Sequence, residues 1–325
     1  MTAGNAMDHL KDLAAIAYTV LGPIVVLVGT GYFVGRRLSA AADVLTKMFL
    51  YVLLPAFLFQ RVVASDLGGR SYGIIVAFSA IMVALLYAVA RTASGVRGHD
   101  RALRGAFINS AILYNSANFA IPVVSLAFGA NAQVQADAVA VQSIVAICQG
   151  LAAYILGAFI AAAGSGPVGR AVGRVFGLPY LYALALALAL KACGVNEAAL
   201  ARVTIVWGPL SALGAAYVPF ALMALGAQLS TVRVVRLPLD IALVVAIRLL
   251  AGPLLGLGVV RLMGVTGTLG QILVIGVAGP TAVASAVVAF EFKNRPDFAS
   301  SAVLVSTLAA GLTVPVVIFL VQNFL

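Results

Sequence analysis

Residues 115–122 read Asn-Ser-Ala-Asn-Phe-Ala-Ile-Pro, inside an otherwise apolar window, 105–127, that is long enough to cross a bilayer as a helix. A proline removes a backbone donor and clashes with the preceding turn, which frees carbonyl and amide groups. Because lipid cannot hydrogen-bond those groups, such a break persists only where protein or a water-filled cavity covers it. The stretch therefore predicts a broken membrane helix with its break at Pro122.

The composition of the whole chain agrees with a membrane location. Of its 325 residues, 63% are hydrophobic and 9% are charged, whereas ordinary soluble domains have about 45–50% and about 25%. The runs do not alternate every second residue, so they favour helices over a β-barrel. We predict an all-α integral membrane protein, with residues 1–325 as a single membrane unit. Its ten predicted spans lie at about 15–35, 42–60, 72–90, 105–127, 136–162, 175–193, 203–226, 238–260, 270–290 and 300–322.

The basic residues predict the orientation of these spans. Thirteen of the 20 lysines and arginines fall in the connections 1–2, 3–4, 5–6, 7–8 and 9–10, and six fall on the other side. Basic loops remain in the cytoplasm, so we predict a protein of the inner (cytoplasmic) membrane with both termini on the non-cytoplasmic side. The excess of basic over acidic residues is then explained by cytoplasmic loops next to lipid headgroups, and a nucleic-acid partner is not predicted. The thirteen are Arg36, Arg37, Lys47, Arg91, Arg97, Arg101, Arg104, Arg170, Arg174, Arg233, Arg236, Lys293 and Arg295.

Prolines recur at similar positions in the two halves of the chain. Subtracting residue numbers gives separations of 156, 164 and 158 for three pairs of prolines. Five spans in each half imply that the second repeat, about 175–322, is inverted relative to the first, about 15–162. In such transporters two broken helices meet near the substrate, and we predict that spans 4 and 9 cross at Pro122 and Pro280. A simple proline kink is the alternative. The pairs are Pro23 with Pro179, Pro55 with Pro219, and Pro122 with Pro280.

Polar side chains near these prolines are the candidate substrate ligands. Asn115 and Asn118 share one helix face, and Thr281 and Ser285 follow Pro280 at helical spacing. Gln142 in span 5 is a further candidate, whereas Gln149, two turns later, is interpreted as packing. Amides on one face suit a carboxylate or another polar head. The alternative is that they form hydrogen bonds between helices, which asparagine commonly does in membranes.

Arg248 is the one basic residue near the centre of a predicted span. A charge at that depth is costly and needs a partner, but the spans contain no central acidic residue. Arg248 therefore either contacts carbonyls freed at the crossing or acts as a fixed cation for an anionic substrate. Without a central carboxylate, proton-for-sodium exchange is disfavoured. The sequence also has no GxxxxGK[ST] motif, so we predict no ATPase or other enzyme, no cofactor and no metal site.

Several motifs together resemble the auxin efflux carrier family over most of the chain. They are residues 21–23 (Leu-Gly-Pro), 51–59 (Tyr-Val-Leu-Leu-Pro-Ala-Phe-Leu-Phe), 115–122, 219–230 (Pro-Phe-Ala-Leu-Met-Ala-Leu-Gly-Ala-Gln-Leu-Ser) and 280–291 (Pro-Thr-Ala-Val-Ala-Ser-Ala-Val-Val-Ala-Phe-Glu). The resemblance implies a scaffold of spans 1, 2, 6 and 7, a mobile body of spans 3–5 and 8–10, elevator motion and homodimers. It also implies substrate contacts from Asn115 and Gln142. Ala284 stands where the family often has asparagine.

These observations predict a secondary transporter that exports or exchanges a small organic anion, driven by the membrane potential or the substrate gradient. Asn115, Asn118, Gln142, Thr281, Ser285 and Arg248 are its predicted substrate-binding residues. The alternative function is a sodium-coupled organic-anion symporter of similar fold. A membrane-embedded enzyme or receptor is less well supported, because the sequence offers neither a catalytic dyad nor a sensing domain.

Overall fold

The computed structural model describes residues 11, 14–38, 41–162, 177, 179–232 and 238–325. Within these ranges the chain is helical apart from short connections and one isolated bridge. The helices are α1 (Ala14–Arg37), α2 (Ala42–Ala64), α3 (Gly69–Val96), α4 (Arg101–Ile112), α5 (Ser116–Ala127), α6 (Ala132–Ala161), α7 (Pro179–Ala192), α8 (Glu197–Ala201), α9 (Thr204–Ser230), α10 (Leu239–Leu262), α11 (Gly267–Val277), α12 (Val283–Glu291) and α13 (Pro296–Phe324).

Among the described helices, seven are long and apolar enough to cross a membrane, namely α1, α2, α3, α6, α9, α10 and α13. Helices α5, α7 and α11 are apolar but shorter. The prediction of an α-helical membrane protein is therefore confirmed, while ten crossings and an inverted repeat stay predictions. Four of the basic loop residues, Arg170, Arg174, Arg233 and Arg236, lie outside the described residues.

Wide π-helical turns accompany four prolines within the described helices. Each turn ends two residues before its proline, so that the segments 17–21, 49–53, 116–120 and 247–251 precede Pro23, Pro55, Pro122 and Pro253. A proline lacks the N–H that would bond back along the helix, and its ring collides with the preceding turn. A locally widened turn accommodates both defects, so these helices continue through their prolines.

The helices pack as two groups. In the first, α1 packs along α9, and α2 packs against α7 and α9. The backbones of α1 and α9 approach closely, since a Cβ at Gly31 would collide with the carbonyl of Met223 and a Cβ at Gly226 with that of Val28. These four helices correspond to the predicted spans 1, 2, 6 and 7.

The second group contains the remaining long helices. Helix α3 packs against α4, α6 and α10, while α13 packs against α4, α10, α11 and α12. Asp100 caps the N-terminus of helix α4, and its carboxylate accepts the Leu103 N–H at 2.8 Å. This bond lowers the pKa of Asp100, and Arg295 beside it acts in the same direction. Helices α2 and α6 form much of the contact between the two groups.

Candidate binding site at the helix crossing

Two helix breaks meet in the second group of helices. The chain between α4 and α5 pairs antiparallel with the chain between α11 and α12, through a bridge between Tyr114 and Thr281. The Asn115 N–H donates to the Pro280 carbonyl, and the Ala282 N–H donates to the Leu113 carbonyl, each at 2.8 Å. The backbone groups freed by one break are thus satisfied by the other, as burial away from water requires.

The position of this crossing corrects one prediction. In the first half, the break lies at residues 113–115 and not at Pro122. Pro122 lies inside α5, where the wide turn of residues 116–120 accommodates it. Pro280 does lie within the break of the second half. The polar residues of the 115–122 stretch therefore follow the break directly, at the N-terminus of α5.

Arg248 is fully buried against the crossing. Its Nη1 donates to the Ala111 carbonyl at 3.1 Å, and its Nη2 donates to the carbonyls of Val277 at 2.6 Å and Gly279 at 3.3 Å. Ala111 and Val277 lie at the C-terminal ends of α4 and α11, where the helix dipole favours a cation. These contacts are those of the first alternative for Arg248, in which freed carbonyls are its partners.

The ring of Tyr114 lies next to this guanidinium, with 4.9 Å between the Arg248 Cζ and the ring centroid. Tyr114 lines the cavity described below, whereas Arg248 does not. Arg248 is thus not one of the residues lining that cavity, and its role as a substrate ligand stays a prediction. Its positive charge therefore acts on the cavity at a distance, through the electrostatic field, and not by contact.

Two other predicted ligands are also engaged within the protein. The Thr281 hydroxyl donates to the Ser110 carbonyl at 2.9 Å, and the Thr281 N–H donates to the Ser306 hydroxyl at 3.0 Å. The Ser285 hydroxyl donates to the Ala282 carbonyl at 2.8 Å. Both side chains are fully buried, and neither lines the cavity. Their contacts hold the second break in place.

A cavity of about 180 Å³ lies between the two groups of helices, beside the crossing. Asn115 and Asn118, both predicted ligands, line it, and so does Ala284. The full lining is Thr46, Leu50, Leu54, Leu58, Leu113, Tyr114, Asn115, Ser116, Ala117, Asn118, Ala146, Ile147, Gln149, Gly150, Ala153, Tyr180, Gln228, Ala282, Val283, Ala284 and Val287. One part of this surface is polar and another is formed by leucine, valine, isoleucine and alanine.

Backbone contacts determine how two amide side chains in the lining are oriented. The Asn115 Oδ1 accepts the Asn118 N–H at 3.2 Å, and the Gln149 Oε1 accepts the Tyr114 N–H at 3.2 Å. Because a backbone N–H donates only to an acceptor, the amide oxygen of each side chain faces that N–H, and the NH₂ group points away from it. Neither Asn115 Nδ2 nor Gln149 Nε2 has a hydrogen-bond partner in the described part of the chain. The cavity thus has two amide groups with donors to spare.

Gln142 is separate from the cavity, although it was the predicted contact of span 5. It is fully buried, and a Cβ at Gly276 in α11 would collide with its amide oxygen. Its amide nitrogen and oxygen have no hydrogen-bond partner among the residues described. Gln149, interpreted from the sequence as packing, is the glutamine of α6 that lines the cavity. The two glutamines share one helix face, and their spacing alone carries no information about which of them lines the cavity.

The electrostatic character of the cavity comes from dipoles rather than from charged side chains. Of the described residues that form its lining, none is Asp, Glu, Lys, Arg or His. The lining includes Ser116 and Val283, the first residues of α5 and α12. A helix N-terminus carries partial positive charge and favours an anion. The arrangement can therefore bind one negative group by hydrogen bonds and helix dipoles.

Three further lining residues show which end of the molecule the cavity approaches. Thr46, Tyr180 and Gln228 lie within two turns of the ends of α2, α7 and α9. If successive spans alternate in direction, these ends belong to the connections 1–2, 5–6 and 7–8, which share one side. That side is the one predicted to be cytoplasmic.

Comparison with known proteins gives one family match. Residues 174–318 match the sequence model of the membrane transport protein family. The match confirms the resemblance to the auxin efflux carrier family, and it extends over the second half of the chain. A search of curated proteins found no significant match.

Proposed function

We propose that this protein is a secondary transporter that moves a small organic anion across the cytoplasmic membrane, since residues 174–318 match the sequence model of the membrane transport protein family. The observation that carries the proposal is the pair of unpartnered NH₂ groups of Asn115 and Gln149 at an uncharged cavity. An amide NH₂ donates to a carboxylate and cannot accept from a cation. The helix N-termini in the same wall favour the same charge.

The proposed mechanism is elevator motion of one helix group against the other. Helices α3–α6 and α10–α13 form the mobile body, and α1, α2, α7 and α9 form the scaffold, with homodimers forming through the scaffold. Each broken pair, α4 with α5 and α11 with α12, completes one membrane crossing, which gives ten crossings. The packing supports this division, since the cavity takes its donors from α6 and the break before α5, and its facing wall from α2, α7 and α9.

With both termini outside the cytoplasm, the cavity opens toward the cytoplasmic side, and the transporter loads its anion there for export or exchange. An inside-negative potential favours the outward movement of a monoanion by about 2.3 kcal/mol per 100 mV. Sodium coupling is less well supported, because the carbonyls of Val277 and Gly279, which a sodium ion at the crossing would use, accept hydrogen bonds from Arg248.

Isosteric substitutions test the proposal. Asn115→Asp and Gln149→Glu keep the oxygen that accepts the backbone N–H but replace the donor with a second, negatively charged oxygen. We expect each to reduce counterflow of a labelled monocarboxylate in proteoliposomes at least about tenfold, since a buried anion then faces a like charge. Asn323→Asp is the matched control, because Asn323 is exposed at the end of α13.

Counterflow that survives both substitutions unchanged would contradict the assigned site. Replacing sodium by potassium on both sides of the membrane should leave counterflow unaltered. A strict sodium requirement would favour the symporter instead.

A further inference from the structure

Gln228 is the polar residue of the cavity that belongs to the scaffold helix α9. Its Nε2 donates to the Thr46 hydroxyl at 2.8 Å, and that hydroxyl donates its own proton to the Ala42 carbonyl at 2.6 Å. Because the Thr46 proton is already engaged, the Gln228 amide must turn its NH₂ toward Thr46. The Gln228 Oε1 is left over, buried and without a hydrogen-bond partner within the described ranges. This oxygen is therefore a hydrogen-bond acceptor that no described donor satisfies.

Residues that line the cavity thus carry unpartnered donors on the proposed mobile body and an unpartnered acceptor on the proposed scaffold. The donors are the amides of Asn115 and Gln149, with the hydroxyl of Ser116, which also has no partner among described groups. The lining also contains apolar side chains such as Leu54 and Ile147. A ligand that satisfies this surface has an acceptor-rich head, an apolar middle and a donor at the far end.

Resting on the proposed function, we infer that the substrate is a hydroxylated monocarboxylate, whose carboxylate binds Asn115 and Gln149 and whose hydroxyl donates to Gln228 Oε1. A plain fatty acid brings no donor to Oε1 and therefore lacks the hydrogen bond that a hydroxyl would add. A dicarboxylate brings a second anion against an oxygen that can only accept. An ω-amino acid buries an ammonium where the described lining has no acidic side chain.

A matched ligand series tests the inference. Hexanoate, 6-hydroxyhexanoate, adipate and 6-aminohexanoate differ only in the terminal group, and the corresponding four-carbon acids cover a shorter spacing. Affinities for the purified protein are measured by isothermal titration calorimetry at neutral pH. We expect the hydroxy acid of the better-fitting length to bind about tenfold tighter than the unsubstituted acid, with the dicarboxylate and the amino acid weaker than either.

Two variants separate this inference from the proposed function. Gln228→Met should abolish the preference for the hydroxy acid over hexanoate, because methionine offers no oxygen to the ligand hydroxyl. Gln228→Glu, which places a carboxylate at the same point, should shift the preference toward 6-aminohexanoate. Asn115→Asp should weaken all the acids together.

The outcomes are distinguishable. If hexanoate and 6-hydroxyhexanoate bind wild-type protein equally, or if Gln228→Met retains the preference, the inference is wrong while anion transport stands. If none of the acids binds and none is transported, the proposed function itself fails.

Discussion

Arg248 is stabilised by backbone groups instead of an acidic side chain. Its three carbonyl partners come from Ala111, Val277 and Gly279. Ala111 and Val277 lie in the last turns of α4 and α11, where carbonyls have no partner within the helix. One guanidinium with several donors in a planar fork can serve carbonyls from two chain segments at once. Arg248 therefore joins the two breaks.

Removing this guanidinium should destabilise the crossing. We expect Arg248→Met to lower the free energy of unfolding by about 3 kcal/mol, because buried carbonyls lose charged donors. Arg248→Lys should be intermediate, since one ammonium cannot reproduce the fork. Thermal unfolding in detergent measures both, with Arg91→Met on an exposed face as the control. If Arg248→Met retains its melting temperature yet loses anion binding, Arg248 acts on the substrate directly.

Some properties of the site could be predicted from single residues in the sequence. Asn115 and Asn118, which the sequence predicted as substrate ligands, both line the cavity. An amide inside an apolar window is costly in lipid and has to face a cavity or another helix. The sequence also indicated that Arg248 needs a partner. It offered carbonyls freed at the crossing as one of two alternatives, but it could not say which carbonyls these are, because side-chain types carry no information about which backbone groups a distant break sets free.

At the scale of elements, proline alone does not determine where a membrane helix breaks. Pro122 and Pro253 are accommodated by wide turns, whereas the break before α5 has no proline in residues 113–115. That break is stabilised by hydrogen bonds to Pro280 and Ala282, residues more than 160 positions away. A local pattern therefore predicted that spans 4 and 9 are irregular, but the register of their pairing depends on tertiary contacts.

Tyr217 in α9 links the proposed scaffold to the segment that carries the polar cavity residues. Its hydroxyl donates to the Ala117 carbonyl at 2.8 Å, and its ring stacks on Phe57 with 4.0 Å between centroids. If the mobile body slides, this hydrogen bond has to break. We expect Tyr217→Phe, which keeps the stacking, to raise the counterflow rate up to about fivefold, as loss of about 1 kcal/mol of state-specific bonding implies.

The same assay contains its control. Tyr217→Ala removes the ring as well and should lower the melting temperature, which identifies a packing defect. A Tyr217→Phe rate equal to that of the wild type would mean that the hydrogen bond persists during transport, or that release from this contact does not limit the rate.

At the scale of the whole molecule, the proposed direction of transport depends on which side of the membrane the cavity faces. The cavity approaches the connections 1–2, 5–6 and 7–8, so its sidedness follows from the charge bias of the loops. Cys193 lies just after α7, in the connection between spans 6 and 7, and it is exposed. The structure thus provides a native thiol at the end of the molecule away from the cavity.

We expect a membrane-impermeant maleimide to label Cys193 in intact cells, because the positive-inside rule puts this connection outside the cytoplasm. In a Cys193→Ser background, Arg101→Cys at the exposed start of α4 should be labelled only after the membrane is permeabilised. Cys193→Ser alone is the control for the half-buried Cys148. The reverse pattern would invert the topology, and the cavity would then receive its anion from outside, which turns the proposed exporter into an importer with the same binding chemistry.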